Sequence, residues 1–306
     1  MRGRRRCGLE LSGETTLAQA SVGCPVSRDV KSNDVVLETE KLLELYDEQL
    51  RAHVPVPLPA GVTVEREGPL VRTIGFGQFG WVEYRDLGDL SEADLDRLIR
   101  AQIARFAERD QPFEWKFHSH DRPPFLEERL TAAGFVAEEL ETVVIAETAA
   151  LADGGPVPAG VVLREVGDRI DFERIGEMEA AAWGSGEDSS ESWYPTALEQ
   201  ELAADPAGLA IFVAEADGVV VSAGWVRFPS GTDFATFWGG ATLPAWRGRG
   251  IYRALVRRRA QLAAERGRRY LEVDASADSR PILERLGFRA VTHTRPYVWS
   301  PPTAER

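Results

Sequence analysis

The chain has 306 residues, is 43% hydrophobic and 28% charged, and carries a formal net charge of -13. That length holds two domains of ordinary size, and the composition is that of a globular protein. The acidic balance speaks against nucleic acid as a partner and toward an amine-bearing one, and no apolar run reaches the length of a membrane span.

Residues 1–34 open with Arg2, Arg4, Arg5 and Arg6, but no apolar segment of signal-peptide length follows, so the cytoplasm is the expected compartment. This stretch is polar and aperiodic and is expected to be disordered. The only cysteines, Cys7 and Cys24, fall within it. A disulfide framework, a thiol nucleophile and a cysteine metal cluster are therefore excluded from the body of the chain. Between residue 35 and Phe79 the pattern assigns no element. Phe79 to Tyr84 reads as a strand. Glu92 to Glu108 reads as a helix with Leu95, Leu98, Ile99, Ile103 and Phe106 on one side. Glu114 to Phe117 is a strand, Pro124 to Ala133 a helix, and a last strand runs from Gly134 through Ile145. A Gly- and Pro-rich stretch, 151–160, reads as a linker between a domain at 35–150 and a domain at 161–300.

The second domain begins with a strand, Val161 to Val166, and a helix capped by Asp171 through Ala182. A second helix spans Ser190 to Ala204. Leu209 to Ala216 and Val219 to Phe228 form a hairpin around Asp217-Gly218. Phe234 to Leu243 is the next strand, and a long helix runs from Ile251 to Arg266, with Gly267 as its C-terminal stop. Tyr270 to Asp274 is a strand, Ser279 to Leu286 a short helix, and Phe288 to Trp299 a closing strand.

Between the strand Phe234 to Leu243 and the helix at Ile251 stands Arg247-Gly248-Arg249-Gly250-Ile251-Tyr252. Glycines here let the backbone approach a ligand, and the free N–H groups at the helix start favour an anion. Arg247 and Arg249 add side-chain cations. The turn is expected to hold a pyrophosphate. Two stretches also match in order. Trp115 to Leu130 and Glu272 to Leu286 each run strand, polar turn, Asp, Arg-Pro and short helix, and Gly-Phe follows soon after. This points to an internal duplication.

These residues resemble the GCN5-related N-acetyltransferase (GNAT) superfamily. Arg247 to Tyr252 matches its acetyl-CoA motif, Pro244 its upstream proline, and Ile282 to Phe288 its later helix running into Leu286-Gly287-Phe288. The resemblance implies an α/β fold of two tandem domains, each a central twisted mixed sheet flanked by helices. It makes 35–150 a degenerate copy, without a Gly-rich turn before its helix, and 161–300 the catalytic domain. It further implies acetyl-CoA as cofactor, with Ala241, Thr242 and Leu243 pairing with the pantetheine arm and Arg247 to Tyr252 wrapping the pyrophosphate. A backbone N–H near Gly240 or Ala241 would polarise the thioester carbonyl. The expected reaction is acyl transfer to the primary amine of a small molecule by direct attack, in a monomer or homodimer.

Three departures stand out: Tyr252 in place of Gly or Ala, Leu283 in place of the family's frequent general-acid tyrosine, and no carboxylate on the strand Phe234 to Thr242. Asp274, at the end of the neighbouring strand, is the candidate base or ammonium anchor. Tyr252 and Tyr297 are the candidate acids. Glu187, Trp193 and Tyr194 are the candidate acceptor-binding residues, since carboxylates beside aromatic faces suit an amine cation. His118, His120 and Asp121 are too few for a metal site and read as a structural turn. Two other readings stay open at this point: a CoA-binding regulatory module without turnover, and decarboxylation of an acyl-CoA in the same pocket.

Overall fold

The chain was analysed as a computed structural model, which describes residues 29–76, 79–183 and 194–302. Its elements follow in chain order. The first half holds α1 (Asp29–Gln49), β1 (Thr63–Glu67), β2 (Leu70–Phe76), β3 (Phe79–Tyr84), α2 (Glu92–Ala107), β4 (Phe113–His118), α3 (Leu126–Ala132), β5 (Val136–Ala137) and β6 (Glu141–Glu147). The second half holds β7 (Val162–Val166), α4 (Arg169–Trp183), α5 (Tyr194–Ala204), β8 (Leu209–Ala216), β9 (Val219–Arg227) and β10 (Phe234–Thr242). It closes with α6 (Ile251–Glu265), β11 (Tyr270–Ala275), α7 (Arg280–Arg285) and β12 (Arg289–Trp299).

The strands form one mixed sheet in the order β1-β2-β3-β4-β12-β6-β11-β10-β9-β8-β7, with β5 pairing β12. Among the described residues only β3/β4 and β10/β11 are parallel, and each pair is joined through a helix, α2 or α6, as parallel neighbours require. The expected two sheets are therefore one. The halves exchange their last strands: β6 lies between β11 and β12, and β12 lies against β4 of the first half. Residues Glu38–Arg306 make one compact unit.

Strand alternation decides which face each helix covers. On β6, Val144 and Ala146 face the core of α6, whereas Val143 and Ile145 face Leu42 and Tyr46 of α1. Leu95, Ile99 and Phe106 of α2 pack on Phe113, Trp115 and Trp299. Phe172, Ile175 and Met178 of α4 pack on Ile211, Val213 and Trp225. So α2, α3, α6 and α7 share one face, and α1, α4 and α5 the other.

Local expectations change as well: the strand expected from Gly134 through Ile145 is two, β5 and β6. Helix α1 starts at Asp29, inside the stretch expected to be disordered, and fills part of the span in which no element was assigned. Its C-terminal half is built from Leu42, Leu43, Leu45 and Tyr46, good helix formers with one apolar side to bury. The cap of α4 is Asp168, whose carboxylate accepts from the Asp171 N–H at 2.9 Å. Asp171 is instead inside the first turn and pairs with Arg164 at 2.7 Å.

Candidate active site

Strands β10 and β11 pair only over Phe234 to Thr236 against Tyr270 to Glu272. Beyond that they part, although β10 continues to Thr242 and β11 to Ala275. The far side of β10 stays paired with β9, as Ala241 opposite Ala223 and Thr242 opposite Ser222. The segment from Phe237 to Thr242 thus presents one hydrogen-bonding edge to a wedge between the two strands. A bulge interrupts it: from Trp238 to Ala241 the chain advances three residues against two on β9. Gly239 and Gly240 supply the bend with φ of +75° and +58°. Ser222 pins the far end, its buried hydroxyl donating to the Ala241 carbonyl at 2.6 Å and lying 2.8 Å from Thr242 Oγ1. Leu243 continues the ladder, its N–H donating to the Val221 carbonyl at 2.9 Å.

The turn follows directly. A 3-10 turn, Pro244–Trp246, leads to Gly248 at φ +75° and Gly250 at φ +86°, the residue that caps α6. A β-carbon on Gly248 would meet nothing within 4 Å, so the glycine is required by its φ and not by crowding. The first helical bond runs from the Ala254 N–H to the Gly250 carbonyl, so the amides between them have no helical acceptor. The positive end of α6 therefore opens beside the wedge. Arg247 is a clamp as well as a cation: it donates to the Thr242 carbonyl at 3.0 Å and to the Ala182 carbonyl, at the end of α4, at 3.2 Å. Arg249 is exposed, its guanidinium 4.5 Å from the centre of the Trp246 ring. Ile251 is buried under the turn.

Tyr252 points into the wedge. A β-carbon on Gly240 would come within 3.1 Å of its Cε2. Burial raises its phenol above the usual range, and nearby Arg259 and the Ser279 hydroxyl act the other way. The phenol therefore keeps its proton at neutral pH.

On the face of α1, a cavity of about 470 Å³ reaches from this wedge to the first half of the chain. Thr236, Trp238, Gly239, Glu272 and Asp274 line one wall; Trp81, Glu83, Glu114 and Lys116 line the opposite one. Lys116 crosses between them, its Nζ 2.5 Å from Asp274 Oδ2 and 3.6 Å from Glu141. Burial alone would lower the Lys116 ammonium, but the Asp274, Glu114 and Glu141 charges outweigh it and hold it well above the lysine range. Burial, then the Asp274 charge, pushes the Glu272 carboxyl well above the carboxylate range. Burial pushes Glu83 up to about 7 and raises Glu114. Asp274 Oδ1 is buried without a hydrogen-bond partner. Carboxyls outnumber cations here and alternate with aromatic rings, which suits an organic cation.

The sequence-derived candidates divide accordingly. The structure brings Ala241, Thr242, Leu243, Arg247, Gly248, Arg249, Gly250, Ile251 and Tyr252 together at the wedge, with Asp274 on its other strand. Tyr297 is elsewhere: it faces α3, donates to Glu127 at 2.9 Å, and packs on Phe117 in the core of the first half, on the sheet face opposite the cavity. Alternation along β12 dictates this, since Tyr297 lies opposite Trp115. Glu187 and Trp193 lie outside the described residues, and Tyr194 opens α5. His118, His120 and Asp121 bind α1 to β4: His118 Nε2 lies 2.9 Å from the Tyr46 hydroxyl, and Asp121 pairs with Arg51 at 2.6 Å. Glu83, Glu114, Lys116 and Glu272 escaped sequence reasoning. The one available signal was alternation, which sets Glu114 and Lys116 on a single face of a strand otherwise facing a core.

Residues 172–288 match the family model described as the acetyltransferase (GNAT) family. A GCN5-related N-acetyltransferase from Kribbella flavida has a similar structure, with a TM-score of 0.57 at 17% identity, over 88% of this chain and 95% of that one. A GCN5-related N-acetyltransferase from Sphaerobacter thermophilus gives 0.55 at 13%, over 78% and 79%. A tandem GNAT protein from the clavulanic acid biosynthesis pathway gives 0.56 at 16%, over 91% of this chain and 97% of that one. At such identities the likeness is one of fold. A search of curated proteins finds no match.

Proposed function

We propose that this chain, which carries a GNAT acetyltransferase domain over residues 172–288, is an acyl-CoA-dependent N-acyltransferase that moves an acetyl group to the primary amine of a small molecule. The observation that carries the reading is the wedge between β10 and β11 ending on the turn Arg247 to Tyr252. Acetyl-CoA, when bound, supplies the acetyl group as an activated thioester. The chain's own groups suit it. The free amides before Ala254 and the dipole of α6 favour a pyrophosphate, with Arg249 exposed beside them. The open edge of β10 offers N–H and C=O groups to an extended amide-bearing arm.

The acceptor enters from the cavity, where the carboxyls of Glu83, Glu114 and Asp274 attract its ammonium and Trp81 and Trp238 flank its body. Asp274, on β11, takes the proton that the amine must lose before attack. The Tyr252 phenol, protonated and inside the wedge, returns a proton to the departing sulfur. Direct transfer fits this arrangement: among the described residues the site holds no cysteine, and the one lysine is held as an ammonium.

The lock of Lys116 on Asp274 and the position of Tyr252 in the wedge favour one alternative, a CoA-binding module without turnover. A panel of primary amines with thiol release as readout separates the two. The proposal expects amine-dependent release from acetyl-CoA, with organic cations among the best acceptors. Tight CoA binding with no release across the panel would favour the binding module.

A further inference from the structure

Arg259, on α6, is buried to 1% exposure, and among the described residues no carboxylate forms an ion pair with it. A buried guanidinium needs acceptors, and these are all backbone carbonyls. Its Nε donates to the Leu255 carbonyl at 3.2 Å within its own helix. One terminal nitrogen donates to the Trp225 carbonyl at 3.1 Å and the Trp238 carbonyl at 3.2 Å. Trp225 and Trp238 are the paired residues at which the β9/β10 ladder breaks. Gly224 leaves room for this contact, since a β-carbon there would lie 3.0 Å from the guanidinium. Burial lowers the group to about 10, so it stays charged at neutral pH.

A trans peptide points its C=O and N–H in opposite directions. Among the described residues the only cis bonds are at Val56-Pro57 and Arg122-Pro123. With the Trp238 carbonyl drawn toward α6 and Arg259, the N–H of the same peptide, on Gly239, is turned away from α6, toward the side on which Gly239 lines the cavity. A full positive charge on the carbonyl oxygen also polarises the peptide and makes that N–H a stronger donor. We infer that Arg259 is a positioning residue that aims the Gly239 amide at the reacting carbonyl of the acyl donor and strengthens it against the negative charge that builds there. The inference rests on the proposed function. It moves the stabilising amide from the vicinity of Gly240 or Ala241 to Gly239, and it gives the bulge a cause outside the strand.

The test follows the thioester carbonyl of carbon-13-labelled acetyl-CoA by infrared difference spectroscopy on the full chain, beside titration calorimetry and turnover. In the wild type the carbonyl band should fall below its position in solution. In Arg259→Met the band should return at least halfway, kcat should drop about 100-fold, the loss typical of one such donor, and the Kd for acetyl-CoA should stay within about threefold. A general packing defect would weaken binding and leave the band of the residual bound fraction in place. Should Arg259→Met fail to fold, Arg259→Lys, which keeps the charge on a shorter side chain and loses the Nε bond to the Leu255 carbonyl, carries the same comparison with a smaller shift. A folded variant with an unchanged band and kcat, or one that loses binding instead, overturns the inference. A wild-type chain that binds no acetyl-CoA overturns the proposed function, and this inference with it; a wild type that binds with an unshifted band overturns the inference alone.

Discussion

At the scale of the residue, the site is set by where charge is buried. Asp274 lines the cavity with one oxygen on Lys116, 2.5 Å away, and the other buried and unpartnered. Asp274→Asn is expected to lower kcat/KM by about 100-fold, and an unchanged pH–rate profile in that variant would remove it from the acid–base chemistry. Tyr252→Phe should lower kcat by at least about 10-fold while leaving the KM for acetyl-CoA near its wild-type value; equal kcat would mean the phenol is only packing. Away from the cavity, Glu179 on α4 is buried and pushed up to about 7 by burial alone. Its folded state therefore holds a proton that the unfolded chain has already released between the ordinary carboxylate range and about 7. The stability tied to that proton is present at low pH and lost as the pH rises through about 7. Glu179→Gln should raise the Tm at pH 8 by about 3 °C and flatten its pH dependence; a Tm difference that does not change with pH would refute this. At this scale the turn was legible because its chemistry is local, Arg, Gly and helix start within six residues. Lys116 and Glu272 were not, because their meaning depends on strands that meet only in the sheet. Tyr297 was misplaced for the same reason, since its face is decided by the partner strand β4.

At the scale of the element, the wedge is a product of pairing that stops. β10 and β11 separate after Thr236 while α6 begins on the open side, so one sheet edge and one helix start face the same wedge. Gly250→Ala places a β-carbon at φ +86° and 3.3 Å from Arg253. The free turn should relax away from this geometry, so acetyl-CoA binding must restore a strain of about 1–2 kcal/mol and weakens by about 10-fold, with little change in Tm; unaltered affinity would separate the turn from the cofactor. Most strands and helices could be read from period and punctuation, as with Asp217-Gly218 for the hairpin and the apolar side of α2. Helix α1 could also have been found, since Leu42 and Tyr46 repeat at helical spacing among strong helix formers. The break between β5 and β6 could not, because it depends on β12 taking both as partners.

At the scale of the whole molecule, the first half of the chain completes the second. β6 fills the gap between β11 and β12, with Val143, Val144 and Ile145 fully buried. A fragment limited to residues 155–306 would expose that gap and lose the Glu83, Glu114 and Lys116 wall of the cavity. It should not fold on its own, and the full chain from Glu38 should unfold in one calorimetric transition; a soluble, cooperatively folded fragment would contradict the exchange. Two matching strand-to-helix stretches were visible in sequence, but the exchange of last strands was not, since each strand pairs equally well in either half by pattern alone. The proposed function rests on this asymmetry: among the described residues two parallel strand–helix–strand units are present, and the one at β10-α6-β11 carries the Gly-rich turn. Titration calorimetry of acetyl-CoA into the full chain tests this most directly. Saturable binding of one equivalent per chain, weakened in Gly250→Ala, is the expected result; no binding, or two equivalents per chain, would contradict it.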